Sequence, residues 1–322
     1  MFESKKFYID IVNSNAGIDK KMYAIRKLRN FNGEDISESL IPYLSDENPM
    51  VRFLTVQTLG DIGINKESQV ILEALAEPED WVRIAVVEAI GKIKPDKSTQ
   101  FLIKYLENEK DNKVKATIIK VLGNFNDENI IPFIAEFLNS QDERIRANTI
   151  EALENFDNIK IMNLLNDYKK DSNNRVRANT ALVLIRHGEE EGFDILKNML
   201  DEKDEWMIAS AVYALGEIGS SKSLDIILNR QINNKKDWSI RRNYIISLGK
   251  FYNNNNNNKN KVSELIKKVL ESSNEEDLIY MIRIIGEYRL KDFIDIISVM
   301  LYKASGELRE KIEEVMDILV ES

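Results

Sequence analysis

The sequence predicts an all-α fold, a right-handed α-solenoid (an alpha-alpha superhelix) of about ten stacked helix pairs of about 31 residues each. One motif recurs along the chain, as in EDWVRIAVVEAIGKIK from Glu79 and DERIRANTIEALENFD from Asp142. The first aliphatic residue of the motif returns at intervals of 31 to 33 residues, at Val51, Val82, Val114, Ile145, Val176, Met207 and Ile240. A fixed period of this length with two helices per unit is typical of stacked helical repeats.

The second helix of each unit is predicted to begin just after a capping residue. An Asp, Asn or Glu stands three residues before the first aliphatic residue, where its side chain can accept a hydrogen bond from an unpaired backbone N–H. These caps are Asn48, Glu79, Asp111, Asp142, Asn173, Asp204 and Asp237, and Glu79 is the weakest of them. Fainter copies such as KKMYAIRKLRNFN and ELREKIEEVMDILV extend the series to both ends. We therefore expect a single repeat domain over residues 1–322.

The first helix of each unit is predicted from apolar residues spaced by three and four, as in STQFLIKYLEN from Ser98. Short polar linkers make neighbouring helices antiparallel. One interval departs from the period, because Gly249 and Gly286 are 37 residues apart, six more than 31. The run of six asparagines at Asn253–Asn258 accounts for the difference. We interpret residues 253–260 as a flexible Asn-rich loop insertion that leaves the stacking intact.

The composition argues against several classes of function. The chain has no cysteine, which excludes disulfides and thiol chemistry, and its one histidine, His187, cannot build an imidazole metal site. No stretch has the apolar character of a signal peptide or a membrane span, which favours a cytoplasmic protein. The net charge of −9 argues against general nucleic-acid binding. Because phosphate-binding, nucleophile and zinc-protease motifs are also absent, we expect no enzyme activity, no cofactor and no metal.

The repeats resemble HEAT repeats, in particular the short phycobilisome-lyase type. The residues that carry the resemblance open and close the second helices: Val51-Arg52, Val82-Arg83, Ile145-Arg146, Val176-Arg177, Gly60, Gly91, Gly123, Gly216 and Gly249. The resemblance covers nearly the whole chain and implies an armadillo-like helical scaffold that binds proteins. Ile208 at a base position, and Glu154 and Ile185 at Gly positions, depart from the pattern.

The resemblance includes two enzymatic branches. Deoxyhypusine hydroxylases hold iron with His-Glu pairs, which a single histidine excludes. The resemblance to bilin lyases leaves a tetrapyrrole-binding groove open, although no residue demands one.

Helical geometry assigns a role to each position of the second helix. With the first aliphatic residue as position 0 and about 100° per residue, positions 0, +4, +7, +8 and +11 form the core face. Positions −1, +3, +6 and +10 are expected to line a groove open to solvent. Small residues at +2 and +9 allow close contact between helices. The base at +1, such as Arg83, is expected to pair with acids of the next turn.

The groove positions of the three middle helices carry five bases and one acid, although the chain as a whole is acidic. Aromatic residues bound this block on both sides, and Trp, Tyr and Arg are enriched at interface hot spots. Asparagines at +3 form a ladder of amides able to bond a peptide backbone. The candidate partner-binding residues are Trp81, Lys113, Lys120, Arg144, Asn148, Arg175, Asn179, Arg186, Trp206 and Tyr213.

We favour a non-enzymatic scaffold or adaptor that binds a protein partner, an acidic surface or peptide, through the groove of the second helices. The first alternative is binding of a nucleic acid or a phosphate ligand through the same basic groove. The second alternative is a tetrapyrrole (bilin) lyase or chaperone-like subunit. The basic groove also has an interpretation without function, as a solvated face of ordinary charged residues.

Overall fold

The structure is a computed structural model that describes residues 4–31, 33–63, 69–125, 127–156, 159–232, 236–254, 258–272 and 274–321. These residues form α-helices joined by loops and short 3₁₀ turns, and none of them forms a β-strand. The helices alternate between a first and a second helix of each repeat, which confirms the predicted α-solenoid. None of the helices in the described ranges combines the length and the apolar character that crossing a bilayer requires.

The chain divides into two compact units, and the first of them comprises Met1–Ile161. Its second helices pack side by side, each on the next: α2 (Ile18–Leu28), α4 (Pro49–Ile62), α6 (Asp80–Ile93), α8 (Asn112–Gly123) and α10 (Glu143–Leu153). Its first helices are α1 (Lys5–Asn13), α3 (Glu34–Leu40), α5 (Val70–Glu73), α7 (Ser98–Asn108) and α9 (Ile131–Ala135). Several first helices are short because they continue as 3₁₀ turns, such as Ile41–Ser45 after α3 and Ala74–Ala76 after α5.

The second unit comprises Met162–Ser322, and α11 (Ile159–Leu164) crosses the boundary. Its second helices again pack in sequence: α12 (Asn174–Arg186), α14 (Glu205–Ile218), α16 (Trp238–Asn254), α18 (Glu275–Glu287) and α20 (Gly306–Glu321). Its first helices are α13 (Glu191–Leu200), α15 (Ser221–Asn229), α17 (Lys259–Leu270) and α19 (Ile294–Leu301).

The Asn run is partly helical. Asn253 and Asn254 are the last residues of α16, and Lys259 begins α17, so the connection between these helices is shorter than the expected insertion at 253–260. Residues 255–257 lie outside the described part of the chain. The flexible insertion therefore stays a prediction for the part between the two helices.

The core face and the helix caps follow the sequence closely. In α6 the side chains of Val82, Val86 and Ile90 are buried, as their positions 0, +4 and +8 predict. The carboxylate of Asp111 accepts hydrogen bonds from the backbone N–H groups of Lys113 and Val114, at 2.8 and 3.0 Å. Glu79 makes no such capping bond, in agreement with its assignment as the weakest cap.

Glycine at position +9 lets successive second helices approach each other closely. A Cβ atom on Gly123 would lie 2.6 Å from Cα of Ala152 and 2.9 Å from its carbonyl oxygen. In the second unit, a Cβ on Gly216 would lie 3.0 Å from Cα of Ser247. Both obstacles include backbone atoms, which cannot move aside without shifting a whole helix. The spacing between repeats therefore depends on these glycines.

Gly123→Ala is expected to lower the free energy of unfolding by about 1–2 kcal/mol, because the overlap with Ala152 outweighs the better helix propensity of alanine. The measurement is urea unfolding followed by circular dichroism. Lys113→Ala, an exposed change on the same helix, is the control and is expected to stay within about 0.5 kcal/mol of wild type. An unchanged midpoint for Gly123→Ala would show that the helices can separate without loss.

Candidate partner-binding surfaces

The arginines at position +1 are structural, but they pair with different acids from those predicted. Arg83 donates from Nε and Nη2 to the two carboxylate oxygens of Glu109, at 3.0 and 3.1 Å. Arg52 binds Glu77 in the same way, with both distances 2.7 Å. Each acid lies at the end of the first helix in the next repeat. The prediction of a partner in the next turn is wrong because the long side chain reaches across to the following helix pair.

These ion pairs are also hydrogen-bonded on their remaining sides. Nη1 of Arg83 donates to the carbonyl oxygens of Glu77 and Pro78, at 3.1 and 2.8 Å. Burial alone would raise the pKa of Glu109, but the backbone N–H of Asp111, the guanidinium of Arg83 and the backbone N–H of Lys110 hold that pKa below its usual range. The arginines at position +1 therefore stabilise the fold through intramolecular bonds, and they are not available to bind a partner.

The asparagines at position +3 join neighbouring helices. Asn148 is only 9% exposed, and its Nδ2 donates to the carbonyl oxygen of Ala116 at 2.9 Å. Nδ2 of Asn243 donates to the carbonyl oxygen of Ala209 at 2.8 Å in the same manner. Position +3 lies about 300° around the helix and leans toward the preceding second helix. The predicted open amide ladder is therefore wrong for Asn148 and Asn243, whose amides hold the repeats together.

Charges of opposite sign alternate at position +10. In the first unit, Asp61 forms ion pairs with Arg29 on the preceding helix and with Lys92 on the following one, the latter at 2.6 Å. In the second unit, Glu217 pairs with Lys250. Burial would raise the pKa of Glu217, but Lys250, the Tyr213 hydroxyl and the charge of Arg186 hold it below its usual range. Arg186, a predicted site residue, thus lies beside an acid.

Two exposed bases of the first unit lie in the first turns of α8 and α10. Lys113 and Arg144 both occupy position −1, and both are exposed. The two helix starts are held together because Nδ2 of Asn112 donates to the carboxylate of Asp142 at 3.0 Å. We call Lys113 and Arg144 the basic surface. Lys120 lies farther along α8.

Two other predicted residues of the first unit have intramolecular partners. Lys120 forms an ion pair with Glu151 at 2.9 Å. Trp81 is half-buried against Phe53, with ring centroids 5.2 Å apart. The structure therefore places the open positive charge of this region at position −1, on the basic surface.

In the second unit, position −1 combines a base with an aromatic ring. Arg175 lies in the first turn of α12 and is exposed, and Trp206 lies in the first turn of α14 with 67% of its surface exposed. Nδ2 of Asn174 donates to the carbonyl oxygen of Trp206 at 3.3 Å and to the hydroxyl of Ser210 at 2.6 Å, which ties these helix starts together. We call Arg175 and Trp206 the Arg–Trp surface.

Farther along these helices lie Tyr213 and Asn179. Tyr213 is exposed, and the ammonium of Lys250 lies 4.4 Å from its ring centroid. Asn179 is half-buried at position +3 of α12. Tyr213 therefore adds an aromatic surface to the second unit, whereas Asn179 offers less of its side chain to solvent.

Sequence reasoning missed one aromatic and basic cluster. Nε of Arg242 donates to the hydroxyl of Tyr280 at 2.7 Å, and the guanidinium of Arg283 lies 5.8 Å from the centroid of the Tyr280 ring. The ring of Trp238 meets that of Tyr280 edge-on at 5.7 Å. Counting position +9 from Gly286 across the Asn run would have placed Tyr280 at +3 and Arg283 at +6. The sequence therefore contains the pattern that predicts this cluster, in the repeat that follows the seven numbered ones.

The single histidine has a structural position. Nδ1 of His187 lies 2.9 Å from the carbonyl oxygen of Val183, one turn earlier in α12, and the ring is half-buried. Within the described ranges, no three His, Asp or Glu side chains come together as a group that could hold a metal ion.

The residues that the structure describes form ten successive helix pairs, with polar and aromatic side chains along the second helices, and this arrangement defines an α-solenoid repeat protein. The sequence profile of HEAT repeats matches residues 9–91, 99–168 and 161–249. The chain belongs to the HEAT-repeat family. Stacked repeats of this kind typically present extended binding surfaces, which suggests a scaffold or protein-binding role.

Several solved structures are similar to this chain over most of its length. The Escherichia coli protein YibA is 18% identical, with 96% of this chain and 100% of that chain covered and a TM-score of 0.47. Kap95p, solved with RanGDP, is 13% identical over 99% of this chain and 50% of its own, with a TM-score of 0.49. The CpcE–CpcF phycocyanin lyase of Nostoc sp. PCC7120 is 17% identical over 88% and 94%, with a TM-score of 0.40. No curated protein matches the sequence.

Proposed function

We propose that the protein is a non-enzymatic scaffold whose second helices bind an acidic protein partner. The observation that supports this most directly is the exposure of bases at position −1 in a chain of net charge −9. Lys113 and Arg144 stand at neighbouring helix starts in one unit, and Arg175 stands beside Trp206 in the other. Each unit thus offers a surface that is locally opposite in charge to the chain as a whole.

The chemistry of the Arg–Trp surface favours a protein over other ligands. Trp206 exposes a large apolar ring, and burying such a ring against a partner contributes affinity that charge alone does not supply. A nucleic-acid surface normally rests on many bases that neutralise phosphates. Here Lys120 and Arg186 lie beside Glu151 and Glu217, which lowers the net positive charge available to phosphates.

Charge reversal on the two surfaces is expected to weaken binding of an acidic peptide. The probe is a fluorescein-labelled Glu-rich peptide that contains hydrophobic residues, and binding is followed by fluorescence anisotropy at low and moderate salt. Lys113→Glu/Arg144→Glu and Arg175→Glu should slow association and flatten its salt dependence. Trp206→Ala should mainly speed dissociation. Effects of about tenfold on affinity correspond to roughly 1.4 kcal/mol.

A matched control changes the same charge on first-helix residues. Lys6→Glu/Lys104→Glu alters two exposed lysines of the first helices α1 and α7 and should leave peptide binding unchanged. A single-stranded oligonucleotide of equal charge forms the second arm. If the oligonucleotide binds more tightly than the peptide with a steep salt dependence, the nucleic-acid alternative is correct. If the reversed variants bind the peptide as wild type does, the proposed surfaces are not the binding site.

A further inference from the structure

The helix α14 carries two aromatic rings on its groove face. Trp206 stands at position −1 and Tyr213 at position +6, and no other repeat of the numbered series has an aromatic residue at both positions. Seven residues turn a helix by about 700°, so the two side chains leave the helix in nearly the same direction. Their Cα atoms are separated by roughly 10.5 Å along the helix axis. We call Trp206 and Tyr213 the aromatic pair.

The two rings stand above a lower surface. Trp206 is 67% exposed and Tyr213 is 43% exposed. The residues between them that border the groove are small, because Ala209 is buried and Ser210 is half-buried. A chain that lies along α14 can therefore contact both rings and reach the serine between them.

Both members of the aromatic pair are held in place by other residues of the second unit. The carboxylate of Asp204 accepts from the backbone N–H of Trp206 at 2.8 Å. The ammonium of Lys250 lies 4.4 Å from the ring centroid of Tyr213, and the Tyr213 hydroxyl hydrogen-bonds to Glu217. Because the rings are already positioned, a ligand loses less affinity to the ordering of side chains.

A hydroxyl group between the rings can donate to a ligand. Nδ2 of Asn174 donates to Oγ of Ser210 at 2.6 Å, whereas the O–H of Ser210 donates to no described residue. The natural acceptor on a peptide is a backbone carbonyl oxygen. An α-helix uses most of its carbonyls internally, but a polyproline II helix has no internal hydrogen bonds and leaves all of them open.

The spacing of the rings also favours a polyproline II segment over a β-strand. Such a segment repeats every three residues, which is about 9 Å, and aromatic-lined grooves are its usual binding sites. Residues on one face of a β-strand recur about every 7 Å, which fits the separation of the aromatic pair less well.

We propose that the aromatic pair binds a proline-rich segment of the partner in the polyproline II conformation. Successive turns of the segment stack on Trp206 and Tyr213, and a carbonyl oxygen between these turns accepts from Ser210. This inference rests on the proposed function, because it specifies which part of the acidic partner meets the second unit.

The charges beside Trp206 place the acidic residues of that segment. Arg175 lies on the α12 side, where Asn174 also donates to the carbonyl oxygen of Trp206. On the other side, Glu205 hydrogen-bonds to Asp237 at the start of α16, so two carboxyl groups already occupy that side. A glutamate that flanks the prolines is therefore expected to face α12.

The test compares two fluorescein-labelled peptides by fluorescence anisotropy with the full chain. The first has a proline-rich run between flanking glutamates, and the second replaces each proline with alanine and keeps every glutamate. The two peptides have the same length and charge, but only the first adopts the polyproline II conformation, since alanine favours a helix. We expect wild type to bind the proline-rich peptide about tenfold more tightly or better.

Three variants locate the binding on the aromatic pair. Tyr213→Ala should weaken binding of the proline-rich peptide about tenfold, because it removes one of the two rings. Ser210→Ala should weaken it by about threefold to tenfold through the loss of one hydrogen bond. Both should change binding of the alanine peptide much less. The matched control is Tyr302→Ala, which removes an exposed tyrosine outside the second helices and should bind both peptides as wild type does.

The comparison in wild type requires no variant to fold, and its outcomes separate this inference from the proposed function. If the two peptides bind equally and Arg175→Glu weakens both, the acidic partner stands and the proline-rich segment is overturned. The same holds if the alanine peptide binds more tightly and gains helicity, since the ligand is then a helix. If neither peptide binds, the proposed function falls with it.

Discussion

Val86→Asp is expected to lower the free energy of unfolding by roughly 3–5 kcal/mol, because it places a carboxylate without a partner in the core. Val86 is only 1% exposed and lies on the core face of α6. In a solenoid each repeat is stabilised by its neighbours, so the loss should spread to adjacent helix pairs and broaden the unfolding transition. Urea unfolding followed by circular dichroism measures both effects.

The control for this prediction lies two residues away on the same helix. Glu88 is exposed, so Glu88→Ala is expected to change the free energy of unfolding by no more than about 0.5 kcal/mol. Similar losses for the two variants would mean that the assignment of helix faces is wrong.

Arg83→Met is expected to be nearly as damaging, at about 3–5 kcal/mol, because it leaves a buried carboxylate without its cation. The side chains of Arg83 and Glu109 are 13% and 4% exposed, and the arginine also satisfies two backbone carbonyls. The comparison is Lys120→Met, which removes the ion pair of an exposed lysine with Glu151 and should cost at most about 1 kcal/mol. Equal losses would show that the buried pair contributes no more than a surface pair.

The same ion pair predicts a pH dependence. The pKa of Glu109 is lower in the folded chain than its ordinary value of 4.5, so the unfolded state binds more protons below that pH. The stabilisation is therefore complete above pH 4.5 and is lost as the pH falls through the folded-state pKa. Because Arg83 helps to lower this pKa, the stability difference between wild type and Arg83→Met should shrink on acidification. Denaturation midpoints at neutral pH and near pH 4 test this, and a constant difference would contradict it.

Rules that depend only on residues near each other in the sequence predict most of the fold. The helical period placed Val86 and Ile90 in the core, and the capping rule placed Asp111 at a helix start, because both depend on residues within one or two turns. The partner of Arg83 could not be obtained in this way. It lies 26 residues away, and only the distance between two packed helix pairs selects Glu109 over nearer acids. Asn148 was misassigned for a related reason, since the lean of position +3 toward the preceding helix decides its burial.

The exposure of the candidate surface residues also depends on neighbouring repeats, which the pattern of one repeat does not show. The sequence treats Trp81 and Trp206 alike, because both stand at position −1. The structure separates them through the residue at +2 of the preceding helix, which is the aromatic Phe53 for Trp81 and the small Ala178 for Trp206. One ring is therefore half-buried against its neighbour, and the other is largely exposed. Reading each groove position together with its neighbour in the previous repeat would have predicted this difference.

Site-specific photocrosslinking tests the central claim most directly. The chain carries p-benzoylphenylalanine in place of Trp206 or, as a control, in place of Tyr302, which directly follows α19 and is 89% exposed. We expect position 206 to crosslink to the acidic peptide, with a yield that falls when Arg175→Glu is added and that exceeds the yield at position 302. Equal yields at both positions, or a yield at position 206 that Arg175→Glu leaves unchanged, would contradict the proposal that the second helices bind an acidic partner.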